Sequence, residues 1–342
     1  MPETMDANQV SRPPTTYQVF VDRFFRGLCY LFAWLSVLLV VFIVVRIATV
    51  AWPAIRQHGL GFLTGTTWDP NTGQYAILPE AWGTLYSSIL ALIGGSAFGV
   101  SAALFLSEGF LGDLIFRILK IFGTQFHPFW GKWPERLEDY LKNLIELLAA
   151  IPSVVYGLWG LFVVIPLIRP VCNWLHLNLG VIPLFGTSLS GPGMLPAAMV
   201  LSIMILPTIT AISRDILVAV PSKLRMASYG LGATRWETIL GVVLPTASRG
   251  IFGAILLAFG RALGETMALA MLIGNANVIS TSLLSPANTL AALLANNFPE
   301  AGPKEVSVLM YAALVLLGIT LLVNMIASAI LLRASPVPEG GG

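Results

Sequence analysis

Positions 1–21 are mostly polar and include Arg12, Pro13 and Pro14, and an apolar run then extends over 28–50. Five more apolar runs follow, at 83–106, 144–168, 194–213, 250–273 and 306–332. A helix needs about 20 apolar residues to cross a hydrocarbon layer about 30 Å thick, and each run reaches that length. Spanning strands would alternate apolar and polar positions over about ten residues, and these runs do not alternate. The pattern therefore predicts an all-α membrane protein with six transmembrane helices across 28–333. A segment at 1–27 precedes them and a tail at 334–342, ending Pro-Val-Pro-Glu-Gly-Gly-Gly, is expected to be disordered. The first run is too long for a signal-peptide core and has no clear small-residue cleavage site, so it reads as a retained anchor.

Composition sharpens this picture in one respect. Of 342 residues, 56% are hydrophobic and only 11% are charged, against about a quarter charged in soluble domains. Lipid must be the solvent for much of the surface.

Charge placement then gives an orientation. With six spans both termini share one side, and that side's segments hold 14 Lys and Arg against three (Arg56, Arg169 and Lys304) on the other. The positive-inside rule puts this basic side, with both termini, in the cytoplasm. Trp52, Trp82, Tyr86 and Trp174 fall where interfacial aromatic belts are expected. Cys29 and Cys172 lie on opposite sides and cannot pair, and His58, His127 and His176 are too scattered for a metal site, so no metal or cofactor is expected.

Two connections on the basic side stand out. Positions 107–141 hold an amphipathic run at 116–122 and an aromatic turn at 126–134, which suit the membrane surface. Positions 214–249 read as a short helix opened by Pro221-Ser222, a break at Gly230-Leu231-Gly232, and a second short helix ended by Pro245. A helix–glycine–helix projection of this kind suits docking into a partner's groove.

Inside the fifth run, Arg261 and Glu265 stand four apart and are expected to share a helix face. An arginine at the bilayer centre costs about 2.5–3.5 kcal/mol on insertion scales, and buried membrane charges usually face a pathway. Gly260 and Gly264 form a small-xxx-small pair expected to admit a close neighbouring helix. The pair is either a ligand site or a structural ion pair. Glu146 faces either a cavity or the interface. Pro152 is expected to kink the third span, leaving Ser153 either to reach the pathway or to repair that kink. Gly95 and Gly99 read as helix packing.

Residues 220–245 resemble the EAA loop of ABC importer permeases. Aligned on Gly232, the chain has Met226-Ala227-Ser228 for the Glu-Ala-Ala triplet, Ala233 after the glycine, and Val242-x-Leu244-Pro245 at the end. The departure is Met226, where the family usually carries glutamate. Gly260-Arg261-Ala262-Leu263-Gly264-Glu265-Thr266-Met267-Ala268 is similar to the motif of PstC-type permeases of bacterial phosphate importers. Trp68-x-Pro70, Gly83-Thr84-Leu85, Ser107-Glu108 and 146–157 extend that resemblance over nearly the whole chain; the stretch near 126–140 is not matched.

The resemblance implies a MetI-like permease fold in the bacterial inner membrane and one half of a phosphate pathway. It implies a PstA-like second permease, a PstB-like ATPase dimer driven against the loop, and a PstS-like periplasmic phosphate-binding protein. The chain has no Walker A loop, so ATP hydrolysis is expected in a partner and the chain itself is not expected to be an enzyme; nothing points to nucleic acid. The alternatives are a permease for another oxyanion, the sister phosphate subunit, an ion-coupled secondary transporter using Arg261 and Glu265 as a relay, or a purely structural membrane subunit.

Overall fold

The computed structural model describes residues 15–110 and 133–333, with side chains of the second stretch described over 140–331. The expected amphipathic run at 116–122, the aromatic turn as far as Lys132 and the tail at 334–342 lie outside the described residues. Among the described residues six helices are long and apolar enough to cross a membrane: α1 (Thr16–His58), α3 (Leu78–Ser107), α5 (Ser153–Leu179), α6 (Met194–Val218), α8 (Arg235–Leu263) and α11, which begins at Pro303. Between them stand α2 (Gly61–Thr64), the hairpin β1 (Trp68–Asp69) and β2 (Gln74–Tyr75), α4 (Trp133–Ala150), α7 (Ser222–Gly230), α9 (Met267–Leu272) and α10 (Leu290–Asn297); α11 runs to Arg333.

The first crossing is longer than its apolar run. A capping box starts α1 at Thr15, whose side chain accepts from Gln18 N–H while the Gln18 side chain accepts from Thr15 N–H. Two other spans differ from expectation in kind. The apolar run 144–168 is two helices: α4 ends at Ala150, and α5 starts at Ser153 with Pro152 as its N-cap in extended conformation. Pro152 therefore separates helices and does not kink one. The residue before a proline is pushed out of the helical region, and the proline itself suits a helix start. The Tyr156 hydroxyl donates to the Leu148 carbonyl at 2.8 Å across the break. The run 250–273 is likewise cut: α8 stops at Leu263 and α9 begins at Met267.

At its other end α8 is longer than expected. Pro245 does not terminate a helix. A π-turn over Ile239–Val243 precedes it, and the helix continues through the proline to Leu263. The same device precedes Pro166 in α5, where Gly160–Val164 is a π-turn. Proline lacks an N–H and its ring collides with the carbonyl four residues back; the wider π-turn relieves both.

The centre of the bundle is α3 against α6. A methyl placed on Gly95 would meet Ile205 Cγ1 at 2.6 Å, and one on Gly99 would meet Ile209 at 2.9 Å. The glycines are packing devices that let two backbones approach. Ser202 and Thr210 of α6 donate to the Ala91 and Gly99 carbonyls of α3 at 3.0 and 3.2 Å. A second cluster joins the end of α1 to α11, with Phe62 stacked on Tyr311 at 4.4 Å and Ser307 donating to the Val50 carbonyl.

The Gly83-Thr84 motif secures the side opposite the basic one. A methyl on Gly83 would lie 1.9 Å from the Asn288 carbonyl oxygen, so only glycine admits that strand of backbone. Beside it, Thr84 Oγ1 accepts from Leu290 N–H at 2.9 Å and donates to the Glu80 carbonyl. Trp82 and Tyr86 donate to the Ser280 and Thr281 carbonyls, pinning the same loop.

Candidate functional site

Arg261 occupies the last turn of α8. The helix ends because Gly264 N–H turns back to the Arg261 carbonyl at 3.2 Å and Glu265 N–H to the Ala262 carbonyl at 3.4 Å, tightening the chain out of α-helical register. Glu265 therefore leaves the face that a continuous helix would have given it. Its carboxylate accepts from Ala268 N–H at 3.4 Å, at the start of α9. Among the described residues no ion pair joins Arg261 to Glu265, which corrects the expectation of a shared helix face.

The close helix contact expected at Gly260 and Gly264 is also absent among the described residues. A methyl added to Gly260 would meet only the Asn324 side chain, at 3.7 Å, and one added to Gly264 would meet nothing but its own helix. The reason is that this face opens on a cleft. Its volume is about 660 Å³, and Thr208, Gly253, Leu257, Gly260, Arg261, Asn324 and Ser328 line it. Arg261 is exposed to it, whereas Glu265 is half-buried and does not line it. Interrupted helices are tolerated at membrane depth where they line a cavity or are covered by protein. The cleft is lined mainly by apolar groups, Leu256 and Leu331 among them, but its guanidinium is exposed and can bind an oxyanion through two parallel N–H bonds.

Glu146 and Ser153 are elsewhere. Glu146 lies on α4, not on a span; its side chain is 51% exposed, with the carboxylate 3.7 Å from Lys142 Nζ. It lines a separate small pocket of about 50 Å³ with Lys142, Thr210, Arg214 and Asp215. Ser153 is the first residue of α5 and is half-buried; Tyr156, not Ser153, bridges the break at Pro152. Met271 is packing, its sulfur 2.7 Å from where a Gly157 methyl would sit.

The loop at 220–245 is built by two local motifs. Gly232 has φ +86°, with Gly232 N–H bonded to the Tyr229 carbonyl and Ala233 N–H to the Ser228 carbonyl. This is a Schellman ending, in which a left-handed glycine closes the helix α7. Thr234 then caps α8 through a reciprocal box with Glu237. The Ser228 and Thr238 hydroxyls meet at 2.9 Å, holding the two helices together. Met226 is 62% exposed, and Ala227 is exposed beside it. Leu244 is half-buried and Pro245 exposed, beside the buried Val243 and Ala247.

Sequence reasoning passed over the anchor of this loop. Arg225 of α7 forms an ion pair with Glu108, the residue that caps α3, and also donates to the Leu217 carbonyl at 2.9 Å. The signal was an acid directly after an apolar span on the side otherwise rich in Arg and Lys.

Six crossings, an interrupted fifth span and a helix–turn–helix projection define a multi-pass permease of the inner membrane. The chain belongs to the family of binding-protein-dependent transport system inner membrane components, which matches residues 129–334. It is similar along nearly its whole length to proteins named phosphate transport system permease protein PstC. The one from Mesorhizobium japonicum is 36% identical over 338 residues, covering 97% of this chain and 96% of that protein. The one from Haemophilus influenzae is 38% identical over 314 residues, covering 90% and 91%. Among solved structures, a chain of the MetNI methionine ABC transporter in an inward-facing conformation superposes with a TM-score of 0.52 at 17% identity, covering 79% of this chain and all of that one (100%). A chain of a bacterial alginate ABC transporter, solved with an alginate-bound periplasmic protein, gives 0.57 at 13% identity over 93% and 98%. These two likenesses establish the fold alone.

Proposed function

We propose that this chain is one membrane-spanning half of an ATP-driven importer of inorganic phosphate, with both termini in the cytoplasm. The observation that carries the reading is the break of the fifth span at Gly264. It leaves Arg261, which has no ion pair among the described residues, on an open cleft of about 660 Å³. A cation without a counter-ion at membrane depth is expensive, and an anionic cargo would offset that expense while it passes. The similarity to PstC proteins supports phosphate as that cargo.

A second, PstA-like permease would close the cleft from the other side. A PstB-like ATPase dimer would receive the exposed face of α7, with Met226 and Ala227 outermost, and a PstS-like protein would deliver phosphate on the opposite face. Nucleotide-driven closure of the ATPases would move α7 and open the cleft alternately to each side. Met226 replaces the acid usual in this loop, so its contact with the ATPase would be apolar.

Glu265, which does not line the cleft in this structure, would set selectivity by leaving its contact on α9 and turning toward cargo held at Arg261. Its contact with Ala268 N–H, at 3.4 Å, is at the long limit for such a bond and readily exchanged. Hydrogen phosphate carries a hydroxyl that a carboxylate can accept; sulfate at neutral pH has none, and would be repelled. The Glu265→Gln substitution is expected to narrow the preference for phosphate over sulfate by about tenfold to a hundredfold, the loss of one charge-assisted hydrogen bond of about 1.5–3 kcal/mol. Uptake of each labelled anion by the reconstituted complex, in competition, measures it; unchanged selectivity would remove Glu265 from this role.

A further inference from the structure

Two arginines of the loop, one on each of its helices, grip the end of α3. Arg225 on α7 holds the Glu108 carboxylate, and Arg235 at the start of α8 donates to the Glu108 backbone carbonyl. The Glu108 side chain is only 5% exposed and that of Arg225 20%. The other arm of the Arg225 guanidinium caps α6 at the Leu217 carbonyl. Arg235 also stacks over the Phe110 ring at 4.3 Å, and Phe110 stacks on Trp236 at 5.0 Å. One planar group thus joins the ends of α3, α6 and α7, and a second ties the start of α8 to the same point. Around them Ala103, Leu217, Val220, Val243, Ala247 and Ile251 form a buried cluster.

We propose that Glu108 is a positioning residue of transport, an ionic latch through which displacement of α7 is passed into α3, and so into the bundle beneath the cleft. This rests on the importer reading above. The physical argument is the geometry of the pair. One arm of the guanidinium holds the buried carboxylate and the other the Leu217 carbonyl, which together fix orientation as well as distance, and a buried pair that loses one partner leaves a costly isolated charge. Push on α7 and Glu108 must follow or the pair must break. α3 carries Gly95 and Gly99, which pack directly on α6, so a shift of its end reaches the core that backs the cleft. The apolar contacts alone would let α7 slide; the latch makes the joint stiff.

The test uses the complete complex in proteoliposomes, with binding protein outside and ATP inside, and reads phosphate ions transported per ATP hydrolysed. Glu108→Gln is expected to leave the complex assembled and hydrolysing ATP while lowering that ratio about fivefold or more, the range of a modest coupling energy. Arg225→Gln should do the same, the double variant should add nothing further, and Arg225→Lys, which keeps the charge but loses the two-armed grip, should restore only part of the native ratio. A purely structural role would lower assembly, hydrolysis and uptake together and leave the ratio alone. A native ratio in Glu108→Gln, or losses that add in the double variant, overturns the latch. Hydrogen exchange on the native complex needs no variant: amides at 105–110 and 222–230 should change protection together when nucleotide binds. A change in the second stretch alone also overturns it. If the native complex moves phosphate without ATP, the importer reading itself fails, a result distinct from every variant outcome.

Discussion

Gly232 sits at φ +86°, where a side chain with a Cβ costs about 1–2 kcal/mol. Nothing lies within 4 Å of the position its Cβ would take, so the constraint is backbone conformation and not space. This separates two substitutions of different size. Gly232→Asn should be milder than Gly232→Ala, because asparagine tolerates the left-handed region better despite its bulk. ATPase stimulation by the membrane complex, which reads how well α7 is presented, would order the three proteins Gly, Asn, Ala. Alanine equal to glycine would show that the Schellman ending does not matter to the loop. At the same scale, Arg261 and Glu265 illustrate how four residues of spacing can mislead. The helix end at Leu263 separates two groups expected on one face: Arg261 lies on the cleft, and the Glu265 carboxylate accepts from Ala268 N–H at the start of α9.

The helices tell a related story about close approach. Gly95→Leu would drive carbon into Ile205, already 2.6 Å from the first added atom, and overpacking of this kind costs about 1–3 kcal/mol. Gly27→Ala in α1 meets nothing within 4 Å and should be neutral or slightly stabilising, since alanine is the better helix former by about 1 kcal/mol. Thermal unfolding of the purified complex compares the two, and equal midpoints would mean that the α3–α6 contact does not limit stability. The number of crossings was legible from sequence because apolar runs about 20 residues long have few other solutions. Their interruptions were not. Hydropathy continues across Ile151-Pro152 and across Gly264-Glu265-Thr266, so the runs 144–168 and 250–273 read as single spans. Proline in turn over-signalled: Pro245 ends a helix by local rule, but the π-turn at Ile239–Val243 absorbs it. The latch at Glu108 was beyond reach for another reason. Its partner lies 117 residues away, and only the fold brings them together.

At the scale of the whole molecule, much apolar surface stays uncovered. The strongly apolar window of α1 buries nothing of itself within the chain, whereas 56% of the corresponding window of α6 is buried. The cleft beside Arg261 is open. Both features fit a subunit that meets lipid along one face and a second permease along another. The central claim, that Arg261 is the point where cargo meets this chain, is tested most directly by labelled-phosphate uptake in proteoliposomes. The complexes to compare carry intact Arg261 or Arg261→Ala, with ATP hydrolysis recorded alongside. Loss of most uptake in the variant, with the complex assembled and ATP still hydrolysed, is the expected result. ATP-driven uptake at the native rate without the guanidinium would contradict the claim and leave Arg261 a structural charge.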